Sequence, residues 1–167
     1  MTIDQPTTQG QGGTDRRMNT YREALLLIER LHRRFLDVLK AEIDRTGRTD
    51  VNNVQALILY NIGDDEITIG ELTNRGYYLG SNVSYNIKQL TNNQYIRQER
   101  SAHDRRAVRV SLSDKGRALR RDITALFERH VAGLYDAGGV SLEDVEQLNA
   151  KLRRIERFWS DQVTFRG

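Results

Sequence analysis

The hydrophobic period of this chain changes from helical to extended within a short central segment. A first set of apolar residues recurs at steps of four and three, the spacing of one buried helix face: Val83, Ile87 and Leu90. A second set alternates with polar residues, as in a strand with one buried face: Val108, Val110 and Leu112. So rapid a change of period excludes one long helix and requires small elements joined by tight turns.

The residues before the first stripe have the pattern of two short helices joined by a turn. Ile67 and Ile69 alternate with polar neighbours and predict a very short strand. A brief helix is expected over residues 70–75, and the glycine-bearing turn 76–80 leads to Ser81, whose hydroxyl suits the N-cap of the next helix. This succession is typical of a helix-turn-helix.

Two strands around a basic loop follow directly. The strands are predicted over residues 95–100 and 107–112, and the polar loop 101–106 between them carries Arg105 and Arg106. A hairpin of this kind behind a helix-turn-helix is a wing. A guanidinium near its tip suits the narrow minor groove of DNA, because it is planar, weakly hydrated and always charged.

Long helices are predicted on the amino-terminal side of this module. Helical spacing begins at Asn19 and predicts one helix to about Arg45, ended by Gly47. Asp50 is expected to cap a second helix, which closes at Gly63. The segment before the first helix is rich in threonine, glutamine and glycine and is expected to be a flexible tail.

Two more helices are predicted after the wing. Ser113 is expected to cap a helix to about Tyr135, and Ser141 to cap the last one. The last helix has an apolar seam at steps of three and four: Val145, Leu148, Leu152, Ile155 and Trp159. In a chain this short, the obvious partner for such a seam is a second copy of the same helices, so a homodimer is expected.

These elements predict a mainly α-helical α+β protein, a winged helix-turn-helix held between long dimerisation helices. One folded unit is the default for 167 residues. The predicted divisions are a flexible tail, an N-terminal dimerisation helix, a winged DNA-binding module and C-terminal dimerisation helices, over residues 1–18, 19–48, 49–112 and 113–167.

Positive charge is concentrated in the winged module. The whole chain has a net charge of only +3, but residues 75–109 hold seven basic and two acidic residues, a net charge of +5. Residues 141–167 hold five of each sign and are neutral. Clustered positive charge on a helix-turn-helix favours duplex DNA as the partner.

The face of the recognition helix opposite its apolar stripe contains no acid. The groups there are hydroxyls, amides and one amine, which can bind base edges and phosphates in the major groove. The candidate DNA-contacting residues on this face and its edge are Ser81, Asn82, Tyr85, Lys88, Gln89 and Asn92. Ser84 and Asn86 flank the face and are expected to reach phosphate. The alternative is a polar face that only meets solvent.

Missing residue types and motifs exclude several other functions. The chain has no cysteine, which excludes disulfides, thiolate metal sites and thiol-based redox sensing. It has no Walker loop, dinucleotide-binding glycine pattern or His-Glu-x-x-His motif, and its three histidines are scattered, so no enzyme, cofactor or metal site is expected. Without a long apolar run or a signal peptide, a cytoplasmic protein with no membrane partner is expected.

Residues 104–116, Asp-Arg-Arg-Ala-Val-Arg-Val-Ser-Leu-Ser-Asp-Lys-Gly, resemble the wing signature of the MarR family of transcription regulators. That signature is usually Asp-x-Arg, a short strand, and Leu-Thr-x-x-Gly at the start of the next helix. Here Ser113 stands in place of the usual threonine. The resemblance extends over roughly residues 20–165, and residues 75–90 also resemble the LdtR-type subgroup.

The resemblance implies an obligate homodimer that regulates transcription from a pseudo-palindromic DNA operator, with repression the expected outcome. It implies that Arg105 or Arg106 enters the minor groove from the wing tip, and that the carboxylate of Asp104 braces it. The contact positions that it implies on the recognition helix are Ser81, Asn82, Ser84, Tyr85 and Gln89. Tyr85 occupies a position that often holds arginine in the family, so the base preference does not carry over.

Family members often respond to a small aromatic ligand between the dimer helices and the winged module, and release by such an effector is expected here too. The candidate lining residues are His32, Phe35, Leu57 and Tyr60, each of which also suits an ordinary packing position. A winged-helix adaptor that binds protein instead of DNA is the other class of protein that fits the same fold.

Overall fold

The computed structural model describes residues 9–76, 80–100 and 108–164. It contains long helices at both ends and a small mixed centre, which confirms the predicted mainly α-helical α+β fold. The elements in chain order are α1 (Gln9–Arg45), α2 (Asn53–Ile62), β1 (Ile67–Thr68), α3 (Ile69–Gly76), α4 (Gly80–Asn92), β2 (Ile96–Arg100), β3 (Val108–Leu112), α5 (Asp114–Asp136) and α6 (Leu142–Thr164).

The chain divides into two compact units. The first, residues 1–120, contains α1 to β3 and the start of α5. The second, residues 121–167, contains the rest of α5 and α6. The predicted limits of tail, module and dimerisation helices stay predictions.

A three-stranded antiparallel sheet forms the edge of the first unit. Its strand order is β1-β3-β2, with Ile67 opposite Val110 and Ile96 opposite Leu112. The two wing strands are therefore paired as predicted, although the first begins at Ile96 and not at Tyr95. β3 lies in the middle, and its alternation places Val110 and Leu112 in the core.

The core of the first unit lies among α2, α3, α4 and one face of the sheet. The predicted apolar stripe of α4 is buried, and neighbouring elements contribute further fully enclosed side chains: Ile58, Leu59, Ile62, Leu72 and Val110. Burying one such aliphatic side chain stabilises a fold by about 1.5–3 kcal/mol. This core is what fixes the direction of α4.

α1 begins at Gln9, so the prediction that helix starts only at Asn19 is wrong for residues 9–18. Glycine and threonine suggested a flexible segment there, but extending a helix costs far less than starting one, and arginine and methionine favour it. The Thr20 hydroxyl donates to the Arg16 carbonyl at 2.9 Å and so connects the predicted helix to this added part. The part of the predicted tail at residues 1–8 lies outside the described residues.

Asp50 does not cap α2, which corrects the sequence prediction. The N-cap is Asn52, whose side chain accepts from the Gln55 amide at 2.9 Å, while the Gln55 side chain accepts from the Asn52 amide at 3.0 Å. This reciprocal pair is a capping box, which satisfies two amides at once. Gly63 ends the helix with φ of 75°, as predicted.

The starts of α3 and α4 also differ from the prediction. Ile69 is the first residue of α3 and not part of a strand, because Thr68 and Glu71 form a capping box that starts the helix at once. α4 begins at Gly80, so Ser81 is its second residue and not its N-cap.

The predicted serine caps of α5 and α6 are confirmed. The Ser113 hydroxyl accepts from the Gly116 amide at 3.1 Å, and the Ser141 hydroxyl accepts from the Asp144 amide at 3.1 Å. The Asp144 carboxylate in turn accepts from the Ser141 amide and hydroxyl, and these hydrogen bonds hold the pKa of Asp144 below its usual value.

Candidate nucleic-acid interface

The exposed face of α4 is the candidate DNA-reading surface. Its buried stripe leaves five polar side chains exposed on the other side and edges, namely Asn82, Ser84, Tyr85, Lys88 and Asn92, with Gln89 half-buried. Tyr85 is 63% exposed, a large fraction for an aromatic side chain on a folded helix. Apart from Asn86, the residues of α4 predicted to contact DNA are thus accessible where the structure describes their side chains, and the side chain of Ser81 lies outside that part.

Asn86 is a correction, because it does not flank the reading face. Its side chain is buried, and its amide donates to the Asn82 carbonyl at 2.8 Å, one turn earlier in the same helix. A side-chain amide that is buried and already donates within its own helix cannot reach a phosphate. The helical wheel misplaced it because it lies beside the buried stripe on the edge nearest the core.

Both edges of α4 are fixed near its carboxyl end. On the wing side, the side-chain amide of Gln98 donates to the Thr91 hydroxyl at 2.6 Å. On the opposite side, the side-chain amide of Asn93, the residue after α4, donates to the backbone carbonyl of Asp50 at 2.6 Å. The turn into β2 passes through Gln94, whose φ of 62° lies in the left-handed region.

A carboxylate that the sequence suggested only as a helix cap joins three segments behind α4. The Tyr95 hydroxyl donates to Asp50 Oδ1 at 2.7 Å, and Lys115 Nζ donates to Asp50 Oδ2 at 2.5 Å and to the Asn93 carbonyl at 2.9 Å. The Lys115 ammonium also lies 4.2 Å from the centre of the Tyr95 ring. Asp50 lies between α1 and α2, in residues 46–52, which we call the α1–α2 segment. It thereby connects this segment to the start of β2 and to the first turn of α5.

The charges in this cluster shift two pKa values in opposite directions. The hydrogen bond from Lys115 holds the pKa of Asp50 below its usual range, since it favours the ionised carboxylate. Burial, and then the hydrogen bond to the Asp50 carboxylate, raise the pKa of the Tyr95 phenol well above its usual value. At neutral pH Asp50 is therefore a carboxylate and Tyr95 a neutral phenol.

Gly116 explains why the wing signature ends in glycine. A Cβ at this position would collide with the Tyr95 carbonyl oxygen, which approaches the α5 backbone closely. The same carbonyl accepts from the Ser113 amide at 3.0 Å. Only a residue without a side chain lets α5 begin directly against the turn that follows α4.

The structure describes the two strands of the wing, Ile96–Arg100 and Val108–Leu112, and the loop between them lies outside the described residues. The Arg109 guanidinium on β3 lies 3.5 Å from the Glu66 carboxylate, and the side chains of β2 beyond Ile96 are exposed. The predicted minor-groove residues, Asp104, Arg105 and Arg106, lie outside the described residues.

A groove of about 450 Å³ runs beside α4 on the side away from the wing. Tyr85 and Gln89 lie on one wall, and Arg48, Thr49 and Asn52 lie on the other. The sequence alone does not predict a role for Arg48, because nothing in its local pattern distinguishes it from other arginines. Its position becomes informative only when the α1–α2 segment is placed against α4.

The four predicted effector residues lie on α1 and α2, which contact each other. His32 is exposed and Phe35 is 37% exposed on α1, whereas Leu57 and Tyr60 on α2 are half-buried. The Arg120 guanidinium lies 5.9 Å from the centre of the Tyr60 ring, and it also donates to Asp64 at 2.6 Å. These placements leave the effector site a prediction.

Among residues 9–76, 80–100 and 108–164, no group of three or more histidine, acidic or cysteine side chains is arranged to hold a metal ion. No helix within the same ranges is both long and apolar enough to cross a membrane.

Comparison with known proteins agrees with this geometry. The sequence pattern of a winged helix DNA-binding domain matches residues 51–116. The exopolysaccharide II synthesis transcriptional activator ExpG of Rhizobium meliloti (strain 1021) is 34% identical over 163 residues, which cover 98% of this chain and 82% of that protein.

Two solved structures share the fold. Streptococcus pneumoniae FabT in complex with DNA has a TM-score of 0.69 at 20% identity, covering 85% of this chain and 99% of FabT. A MarR transcriptional regulator from Methanosarcina mazei Go1 has a TM-score of 0.67 at 19% identity, covering 83% of this chain and 98% of that one.

The fold, the acid-free reading face and the matched domain together define a winged-helix DNA-binding protein. The similarity to a transcriptional activator over nearly the whole chain shows that this DNA-binding protein is a transcription regulator. The chain belongs to the MarR family of transcription regulators, and it is accordingly a regulator and not an enzyme. The finer resemblance to the LdtR-type subgroup stays a prediction.

Proposed function

We propose that this protein regulates transcription as a homodimer that binds a pseudo-palindromic DNA site, with one α4 in each of two successive major grooves. The observation that carries the proposal is the exposed, acid-free face of α4, opposite a stripe buried to 2% exposure or less. The candidate contacts are those predicted on α4, with the wing residues Asp104, Arg105 and Arg106 in the flanking minor grooves. Half-sites are expected about one helical turn apart.

Exposed apolar side chains on the end helices support the homodimer. On α1 these include Leu26 at 61% and Leu31 at 64% exposure, and on α6 they include Leu148 at 50% and Phe158 at 58%. Large apolar side chains concentrated on particular helices mark an interaction surface. A second copy is the partner we propose for them, because a two-fold dimer supplies the same apolar helices to both sides.

The direction of regulation depends on where the dimer binds. Repression is the expected outcome, since a dimer over the polymerase site blocks initiation. The relative from Rhizobium meliloti is named an activator, and the same DNA-binding module can activate when its site lies upstream. Reporter assays with the selected site placed over or upstream of a promoter separate the two outcomes.

An effector that binds between α1 and α2 is the second part of the proposal. Phe35, Leu57 and Tyr60 offer apolar surface, while His32 and the tyrosine hydroxyl offer polar groups, a mixture that suits a small aromatic ligand. The match to a winged helix DNA-binding domain favours DNA over the alternative of a protein-binding adaptor.

The test combines sedimentation with selection of duplex DNA from a random pool by the purified protein. We expect a dimer and an enriched sequence with two-fold symmetry. Affinity for this sequence should fall linearly in log K against log salt. A stable monomer, or a pool without enrichment, contradicts the proposal.

A further inference from the structure

We propose that the groove beside α4 binds a backbone phosphate of the same DNA that α4 reads, with Arg48 as its main cation. The inference rests on the proposed function, because it requires α4 to occupy a major groove. No motif in the sequence assigns Arg48 to DNA, and the position follows only from the packing of the α1–α2 segment.

The two edges of α4 face different neighbours. One edge meets the wing through Thr91 and Gln98, and the other meets the α1–α2 segment through Asn93 and Asp50. A helix seated in a major groove about 12 Å wide has a phosphodiester strand on each side. The wing lies on the side of one strand, and residues 48–52 lie on the side of the other.

The walls of the groove carry suitable groups for a phosphate. Arg48 is half-buried, which limits the freedom of its side chain. A guanidinium has five N–H donors in a planar fork and can bind more than one group at a time, including two phosphate oxygens. Thr49 is exposed on the same wall and adds a hydroxyl, while Tyr85 and Gln89 form the other wall.

The carboxylates near the groove are matched by cations. Asp44 is paired with Lys40, and Asp50 is paired with Lys115. Arg48 then brings the sum of these five charges to +1. The amino terminus of α2 adds positive potential, but its capping box already occupies two of its amides, so side chains must make the contact.

Arg48→Gln is the main test, with Arg33→Gln as the matched control. Arg33 is exposed on α1, and Glu29 is its partner in the described ion pairs. Its substitution removes the same charge from a residue that is far from α4 in the sequence. Arg48→Gln is expected to weaken binding about tenfold on both selected and random duplexes. The slope of log K against log salt should become shallower by about 2 per dimer, because one phosphate contact is lost per subunit.

Two additional measurements separate a direct contact from a structural effect. Arg48→Lys keeps the charge and is expected to restore most of the salt slope, while thermal melting checks that each variant is folded. A single neutral methylphosphonate is then moved along the duplex. At the contacted position it should weaken wild-type binding about tenfold but Arg48→Gln binding by less than twofold.

Either of two outcomes overturns the inference while leaving the proposed function intact. One is an unchanged salt slope in Arg48→Gln, and the other is equal losses for wild type and variant at every methylphosphonate position. If the wild-type protein enriches no duplex at all, the proposed function itself fails, and the two failures are thereby distinguished.

Discussion

The winged module encloses most of its large apolar side chains, whereas the end helices leave many of theirs exposed. Leu59 on α2 is fully buried, and so are Leu72 on α3 and Leu90 on α4. By contrast, Leu31 on α1 is 64% exposed and Leu148 on α6 is 50% exposed. The same residue type is therefore placed in two ways: leucines are buried in the core of the module, and others are exposed on the end helices, where the proposed dimer would cover them.

Truncating the module core should cause the largest loss of stability. Leu59→Ala removes a fully buried side chain and leaves a cavity, which costs about 2–5 kcal/mol in comparable cores. Urea unfolding followed by circular dichroism measures the loss. A change below about 1 kcal/mol would mean that the module is not the closed core described here.

Two glycines on α5 should respond in opposite directions to the same added methyl group. Gly116→Ala forces Tyr95 and the start of α5 apart and should cost about 1–3 kcal/mol. Gly133→Ala meets no atom within 4 Å and should stabilise the helix by about 0.5–1 kcal/mol. Thermal melts of both variants check this pair, and equal shifts would contradict the close contact at Gly116.

The Tyr95 hydroxyl should give the module a particular dependence on alkaline pH. Because its pKa is raised in the folded state, its stabilisation is complete below the ordinary tyrosine value of about 10. Above that pH the unfolded chain loses the proton while the folded one keeps it, so stability falls. Tyr95→Phe should cost about 1 kcal/mol at neutral pH and remove part of this alkaline fall.

Urea unfolding between pH 8 and pH 11 measures this difference. Tyr85→Phe, which removes an exposed hydroxyl from α4, is the control and should retain the wild-type pH dependence. Identical alkaline curves for wild type and Tyr95→Phe would show that the pKa of Tyr95 is not raised in the folded state.

A smaller loss than at the module core is expected on the end helices. Leu148→Ala should leave the module intact and weaken the proposed dimer about fivefold, which corresponds to about 1 kcal/mol. Sedimentation at several concentrations measures it, with Glu146→Ala as an exposed polar control on the same helix. A dimer unchanged by Leu148→Ala places the subunit contact elsewhere.

Features that depend on near neighbours in sequence were predictable. The α4 stripe requires only helical spacing, and the caps at Ser113 and Ser141 require residues three positions away. The start of α1 was not predictable in this way, because a helix extends cooperatively from a stable part into residues with weak preferences of their own.

Features that depend on distant residues were missed or misread. Asp50 has the right chemistry for a cap, but its decisive partners, Tyr95 and Lys115, are 45 and 65 positions away. Arg48 likewise gains its position only from packing beside α4. The roles of the α4 contact residues and of the wing tip remain predictions, because they concern a bound partner.

Fixing α4 near its carboxyl end on both edges has a consequence for how mutations would alter DNA recognition. Substitutions at Thr91 or Asn93 would tilt the whole helix and displace every reading side chain together, so affinity for all sequences would change. Substitutions at Asn82 or Tyr85 would leave the helix direction intact and change one contact at a time. New DNA preferences should therefore arise at the exposed positions of α4, while Thr91 and Asn93 maintain the alignment that any preference requires.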